Sequence, residues 1–544
     1  MSNKGTETDI PETFQSLLVA FSLALAFRGF VVEGFVIPTG SMAPTLLGEH
    51  VRFQTPDTGY EYALDPSPVR RSAKSPSDAV AFIDPMISQD RSVGIRTAQS
   101  IFDQRLAGDR VLVLKYLYEF FEPDRWDVVV FKSPTDPIGP SQNYIKRMVG
   151  LPNEQLLVVD GDVFTAAPGA ELSEFRITRR PEYIQESVWQ PVYDSDYVPE
   201  DPKELQARLG RPFEGPPFKT TGTVWSLDDT RTWRCETDAK TRLDWADDEL
   251  PIDDFNAYNA WRYPQKISGT RQSPRGRLVL RDVDAVSDLR LSAAIDPDVI
   301  DDFGTTLELS LRGHRFRMKL ASTTVSIEML DGEGERVGFA EGTSSPGPGG
   351  LLDVVFTHVD QSLMISVGGK EAVRLDYEWS PMERLEATYI DFDLKAYRRD
   401  PGSLRVRAPR ISWNFEGSPF TLRNVRLERD LHYKTGILDR GQQVAANGPF
   451  IEGMLHSTDP LKPSQLGPDQ FLMFGDNSGA SRDCRYWGRP HPISIDVTGD
   501  DTPFVVHRDL LVGKAWCVYF PAPNRIADQG PAIVPDLGRF RFIR

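Results

Sequence analysis

The sequence is poor in cysteine and histidine and has no excess of positive charge, and each shortage removes a class of function. Cys235, Cys484 and Cys517 are too few and too widely spaced for a disulfide framework or a tetrahedral zinc site. The seven histidines are scattered, and none stands in a recognisable catalytic motif. Sixty-two Lys and Arg face 79 Asp and Glu, a net charge of -17. A chain of that sign lacks the cations that hold a phosphate backbone, so nucleic acid is not an expected partner. HExxH, GxSxG and phosphate-loop signatures are absent, as is any convincing internal repeat. At 40% hydrophobic and 26% charged residues the chain is neither disordered nor a multi-pass membrane protein, and 544 residues are enough for several cores.

What is there starts at the N-terminus. No charge interrupts the chain from Phe14 to Phe27, and apolar character resumes after Arg28 as far as Ile37. Residues 14–34 are expected to form a single transmembrane anchor behind a short tail, residues 1–13. A cleaved signal peptide is the alternative, with Ala24 and Ala26 supplying an AxA-like site. Glu7, Asp9 and Glu12 outnumber Lys4, however, where a signal peptide needs a basic start. Both flanks are poor in Lys and Arg, so charge counting is silent on orientation.

Beyond the anchor, short runs rich in β-branched and aromatic residues read as strands: FVIP (35–38), DRVLVLKYL (109–117), DVVVF (127–131) and NYIKRMVG (143–150), with a polar excursion over 54–107. From about 160 the texture changes to an irregular region containing Trp189, Trp225, Trp233, Trp245 and Trp261. Alternating runs follow, from RLVLRDV (277–283) to FTLRNVRLER (420–429), spaced as in an antiparallel β-sandwich. Strand texture returns with FLMFGDNS (471–478) and DLLVGKAWCVYF (509–520). The expected fold is therefore mostly β. A β core in two halves, 35–160 and 436–544, is interrupted by an inserted, jelly-roll-like sandwich over 161–435. Polar joins near 160 and 435 point to a module that could be excised with the core still folded. The tryptophans are expected in its packing rather than on a sugar-stacking surface, and the acidic run 244–254 as a solvated loop, since it matches no calcium-loop spacing.

Three strings carry chemistry. IPTGSMAPTL (37–46) puts Ser41 a few residues past the anchor. A Ser hydroxyl is a weak nucleophile without a base, and no histidine is a convincing candidate. Lys146, among Tyr144, Ile145, Met148 and Val149, lies in surroundings apolar enough to depress an amine pKa by desolvation. GDNSGASRDCRYWG (475–488) crowds Asp476, Asn477, Ser481, Asp483 and Arg485 around a Gly-bearing turn.

These strings in this order, with GDRVLVLK (108–115) and DVVVFKSP (127–134), resemble the type I signal peptidases, the membrane-bound Ser/Lys endopeptidase family that removes signal peptides from exported preproteins. The resemblance covers somewhat under half of the chain. It implies Ser41 as the acylating nucleophile, Lys146 as general base, and Thr39 with the Ser41 N–H as oxyanion hole. It implies that Ser481 hydrogen-bonds and orients the lysine, that Asp476 and Asn477 support the site, and that Asp483 and Arg485 pair to shape it. Phe35, Ile37, Tyr144 and Ile145 match positions lining the pockets for small residues at P1 and P3. The resemblance implies no metal or cofactor, preprotein signal peptides and the lipid bilayer as partners, and a place in the cell membrane with the catalytic part on the extracytoplasmic side. Cys484 departs from the family's usual Ser, and GLPNE (150–154) from its commoner GLPGD. The long insertion faintly resembles concanavalin-like jelly rolls, which suggests an accessory domain for a glycan or protein ligand. Two other readings stand beside this one: a surface binding protein on a degenerate peptidase scaffold, and a self-cleaving repressor, which the charge and the apolar segment oppose.

Overall fold

The computed structural model describes residues 10–67, 75–77, 79–87, 92–199, 201, 204, 217–220, 224–229, 231–247, 250–262, 283–438, 440–441, 443, 449–525 and 532–544. The expected strand RLVLRDV lies almost entirely outside them. Helix α1, Ile10–Phe30, opens the described chain. The expected 14–34 segment is helical only to Phe30, because β-branched Val31 and Val32 turn the chain into strand β1 (Val32–Val36), which pairs Val32 with Leu114. Phe14, Leu17, Leu18, Val19, Phe21 and Leu23 on α1 are all at least half exposed. Among the described residues, no helix is long and apolar enough to cross a membrane.

The rest is mostly β. An eight-stranded sheet joins β1 to β2 (Arg110–Leu114), β3 (Val128–Lys132), β4 (Asn143–Gly150), β5 (Gln470–Phe474) and β6 (Leu511–Phe520), in the order β1-β2-β6-β3-β4-β5. Strands from the two ends of the chain thus alternate in one sheet, and β6 is hydrogen-bonded between β2 and β3. β3 and β4 are buried almost throughout, β4 including Lys146 and Arg147. A four-stranded sheet stands beside it, built from Gln155–Val159, Asp162–Ala166, Arg176–Ile177 and Ser464–Gln465. The expected join at 160 therefore falls at the tip of a hairpin, where Asp160 and Gly161 take positive φ.

Residues 190–429 supply two further antiparallel sheets, of eight and seven strands. Leu289–Pro297 states the rule for both: Leu289, Leu291, Ala293 and Ile295 are buried while Arg290, Ser292, Ala294 and Asp296 are half-buried on the other face. Inward residues of both sheets form one core with Leu307, Leu309, Phe316 and Met318. Trp233, Trp245 and Trp413 are buried in it and Trp225 packs against it, the packing role expected for tryptophan here.

Where the inserted region meets the 155–166 hairpin, Leu157, Val159 and Phe164 pack with Leu385, Tyr389 and Tyr397, and ion pairs join the two as well. Arg384 pairs with Asp160 at 2.9 Å and Asp162 at 2.5 Å. Arg312 pairs with Asp160 at 2.7 Å and Asp288 at 2.9 Å, and Arg180 with Asp430 at 2.6 Å and Asp360 at 3.3 Å. The carboxylates of Asp162, Asp288, Asp360 and Asp430 lie within 4.8 Å of one another. The three arginines are interleaved with these carboxylates in a buried salt-bridge network. Burial raises the pKa of Asp162, of Asp430 and, to about 6, of Asp360. Burial also acts to raise Asp288, but the charges of Arg312 and Arg384 overcome it and hold that carboxyl low. These bonds revise the expectation of an excisable module: removing the sandwich would strip buried Asp160 and Asp162 of their cations. Arg384→Met should accordingly destabilise the protein by about 3–5 kcal/mol, read as a lower urea midpoint; a midpoint equal to that of the wild type would refute the network's role.

Candidate active site

Ser41 sits in a short 3-10 turn, Gly40–Met42, just beyond β1. Lys146 lies on β4, where side chains alternate between two apolar clusters. Ile145 joins Ile37, with Phe35 packed alongside, while Tyr144 packs with Met148 and Phe474 in the other cluster. The lysine emerges between them. Its Nζ is hydrogen-bonded to Ser41 Oγ at 2.6 Å and donates to the Ile145 carbonyl at 2.9 Å. The amine is buried and Ser41 half-buried, so the hydroxyl remains within reach of a substrate.

Burial lowers the Lys146 pKa from 10.5 to about 8, against the upward pull of Asp483 and Asp476. The unfolded chain would hold its proton up to pH 10.5. The penalty, roughly 3 kcal/mol, is thus fully present below pH 8 and fades as pH rises to 10.5. Each neighbouring carboxylate is tied down by its own arginine. Arg485 grips Asp483 with Nε at 2.9 Å and Nη2 at 2.8 Å, and Arg147 grips Asp476 with Nε at 2.8 Å and Nη2 at 2.7 Å. All four side chains are buried. Bidentate pairing of this kind fixes both charge and direction.

The turn after β5 reaches the nucleophile through backbone. Register sets Phe474 opposite Arg147, which delivers Gly475 and Asp476 beside Lys146. A β-carbon on Gly475 would collide with the Ser41 carbonyl oxygen, so the close approach needs glycine. Asn477 N donates to the Ser41 carbonyl at 3.1 Å, and its Nδ2 to the Gly40 carbonyl at 2.8 Å. Asp483 Oδ2 accepts from Gly475 N at 2.9 Å, and Arg485 Nη1 donates to Ser478 Oγ at 2.7 Å.

One expectation is corrected. Ser481 is buried beside Gly475, but its Oγ has no hydrogen-bond partner among the described residues, and the bond to Lys146 that the resemblance implied is not formed. The amine's bonds go to Ser41 and Ile145 instead. Thr39 is exposed, and its hydroxyl does not cap the 3-10 turn. The Tyr144 ring centre lies 5.6 Å from Lys146 Nζ. Cys484 is fully buried, its Sγ accepting from Met473 N at 3.2 Å, and burial raises its pKa, so the thiol is shielded rather than reactive.

Sequence reasoning passed over Arg147, although NYIKRMVG was in view; a buried Arg next to a buried Lys was the available clue. It also passed over Asn259, for which the sequence offers none. Asn259 Nδ2 donates to Asn477 Oδ1 at 2.6 Å, and Asn477 Nδ2 to Asn259 Oδ1 at 3.0 Å. A polar cavity of about 640 Å³ opens next to this pair, lined by Asp254, Asn256, Lys434 and Ser478 among others.

Comparison with known proteins places part of the chain beside a peptidase family. The model of the family "Signal peptidase, peptidase S26" matches residues 91–202, a range that holds Lys146 but not Ser41. Signal peptidase I of Rickettsia typhi (strain ATCC VR-144 / Wilmington) is 26% identical over 162 residues, 30% of this chain and 46% of that protein. Signal peptidase I of Pseudomonas fluorescens is 30% identical over 140 residues, 26% of this chain and 32% of that protein. The chain thus spans less than half the length of these relatives. Among solved structures, the carbohydrate binding module CBM66 from Bacillus subtilis matches 40% of this chain and 97% of its own length at 8% identity and a TM-score of 0.22, a likeness too slight to carry an argument. Residues 91–202 are thus similar to the signal peptidases of the peptidase S26 family.

Proposed function

We propose that the protein is a membrane-anchored serine endopeptidase that cleaves signal peptides from exported preproteins after small residues, using Ser41 and Lys146. The observation that carries this reading is the 2.6 Å contact between Ser41 Oγ and a buried amine whose pKa is about 8. A neutral amine has two N–H groups and one lone pair. With one N–H given to the Ile145 carbonyl, the lone pair is free to take the Ser41 proton as Oγ attacks the scissile carbonyl. The protonated lysine then returns the proton to the leaving amine, and the neutral lysine activates the water that releases the acyl group. The Ser41 N–H and the Thr39 hydroxyl would take the oxyanion after a rotation that brings the exposed Thr39 side chain inward. Asp476, Asn477, Asp483 and Arg485 hold this framework, with Ser481 packed behind it. Phe35, Ile37, Tyr144 and Ile145 would bound shallow pockets that admit an alanine methyl at P1 and P3 and exclude larger groups.

The exposed apolar side chains of α1 support a lipid-embedded anchor, since such a surface is unfavourable in water. By analogy with the family, the protein would cross the cell membrane once, with its catalytic part on the extracytoplasmic side. The sandwich is proposed as an accessory domain, inserted between the two halves of the peptidase core, that binds a glycan or protein ligand.

The deciding experiment is cleavage of a preprotein bearing an AxA site by detergent-solubilised full-length protein, with the cut mapped by mass spectrometry. Ser41→Ala and Lys146→Met should each lower the rate by at least about 1,000-fold. Cleavage at the wild-type rate by either folded variant would end the dyad mechanism, and no cut by the wild type would favour the binding-protein reading. Because the buried amine is a burden on the fold, Lys146→Met should also raise the urea midpoint while abolishing activity. A lowered midpoint would contradict the desolvation argument.

The same amine sets the pH dependence. Below pH 8 its neutral fraction falls about tenfold per pH unit, so kcat/KM should drop about fifty-fold between pH 8 and pH 6 with a slope near one. A profile flat over that range would exclude Lys146 as the base.

A further inference from the structure

The loop that carries Ser41 is enclosed by a segment from the middle of the sandwich sequence. Residues 256–259 lie between the sandwich strands Thr241–Trp245 and Leu289–Pro297, yet they reach the peptidase side at several points. Asn256 Nδ2 donates to the Ala43 carbonyl at 3.2 Å, and Tyr258 Oη to the Glu49 carbonyl at 2.8 Å. The Tyr258 ring is buried against Ala43 and Leu47, and any β-carbon on Gly40 would strike it. Asp65 N donates to the Tyr258 carbonyl at 2.9 Å. Asn259, buried and paired amide to amide with Asn477, completes the enclosure.

That last pair determines what Asn477 can do. A carboxamide has an oxygen at one end and an NH2 at the other, and a half-turn exchanges them. Asn477 holds the Gly40 carbonyl through Nδ2; turned over, it would set oxygen against oxygen and release the residue before the nucleophile. Asn259 forbids the half-turn, since it accepts from Nδ2 and donates to Oδ1 at the same time. We propose that Asn259 is a positioning residue for Ser41, acting through Asn477, and that the inserted region is thereby part of the peptidase active site. This rests on the serine-peptidase reading above. It goes further by giving the sandwich sequence a share in turnover.

The test is a double-mutant cycle on the full-length solubilised protein with the AxA preprotein: Asn259→Ala, Asn477→Ala and both together. Asn259→Ala should lower kcat by about tenfold, with KM within about twofold of the wild type and the melting temperature little changed. The double variant should be no slower than Asn477→Ala alone, because the side-chain hydrogen bonds of Asn259 among the described residues go to Asn477. A kcat within twofold of the wild type for Asn259→Ala, or losses that multiply in the double variant, would overturn the proposal. The isosteric Asn259→Asp keeps the acceptor and loses the donor. It should fall between the wild type and alanine, and it gives the same reading if the alanine variant folds poorly. If the wild type cuts nothing, the peptidase reading fails, and the positioning role is then read by amide exchange. Asn259→Ala should speed exchange at Ala43 and Leu46 while core amides of the sandwich hold, and unchanged exchange at those two residues would overturn it.

Discussion

The Lys146 amine can serve as a base only if it is neutral near physiological pH, and that single requirement constrains most of what surrounds it. Desolvation is the force that removes its proton, so the walls must be apolar and closed, as Ile145 and Met148 on the same strand make them. Two carboxylates nearby pull the other way. Left unpaired, Asp476 and Asp483 would hold the lysine protonated. Arg147 and Arg485, each bidentate and each buried, cancel those charges where they stand. The two forks are thus conditions of the lysine's basicity as much as props of the fold, and Arg485 extends its reach to Ser478 on the turn that carries Asn477.

A second ionic assembly ties the sandwich to this site. Three of its charged residues occupy hairpin tips: Asp160 at the end of the 155–166 hairpin, Arg312 and Asp360 at the ends of sandwich hairpins, all three with positive φ. Two-residue turns in that conformation suit the twist of antiparallel strands and are usually filled by Gly, Asn or Asp. An arginine there is uncommon, and its ion pairs to Asp160 and Asp288 explain why it is tolerated. Asp160, Asp162, Asp288, Asp360 and Asp430 outnumber Arg180, Arg312 and Arg384, and burial together with the crowding of like charge raises the pKa of Asp162, Asp360 and Asp430.

Much of this was legible in the residues. Period-two alternation marked the sandwich strands, and enrichment in β-branched and aromatic residues marked β3 and β4. The approach of Lys146 to Ser41 was readable from motif order. The orientation of Ser481 was not, since a hydroxyl has two lone pairs and one proton to offer and only packing decides whether they are used. Nor were the ion pairs that join Asp160 to Arg312 and Arg384: charges on loops normally face water, and nothing local marks the few that meet another loop. Asn259 was the least visible of all. An isolated Asn in an irregular stretch reads as a turn residue, and its contact lies 218 positions away in the chain.

How so large an insertion comes to bear on a compact site follows from where it leaves and rejoins the core. Gly161 and Tyr433 form a bridge, with Tyr433 N donating to the Gly161 carbonyl at 3.1 Å. Gln190 and Arg429, the first and last residues of the sandwich strands, are paired as well, so the sandwich departs and returns at adjacent points. To the peptidase sheets the whole excursion is equivalent to a tight turn, and it adds little loop-closure entropy to their assembly. The tight bridge also removes the freedom that a pair of long linkers would give. With both ends pinned at one place and the hairpin tips locked by ion pairs, the sandwich has one orientation in which its residues 256–259 meet the Ser41 loop. A loosely tethered domain could bind a ligand but could not hold an amide pair at hydrogen-bonding distance. The salt-bridge network therefore has a consequence beyond stability: it helps to hold the distant Asn259 against Asn477, as the proposed positioning role requires.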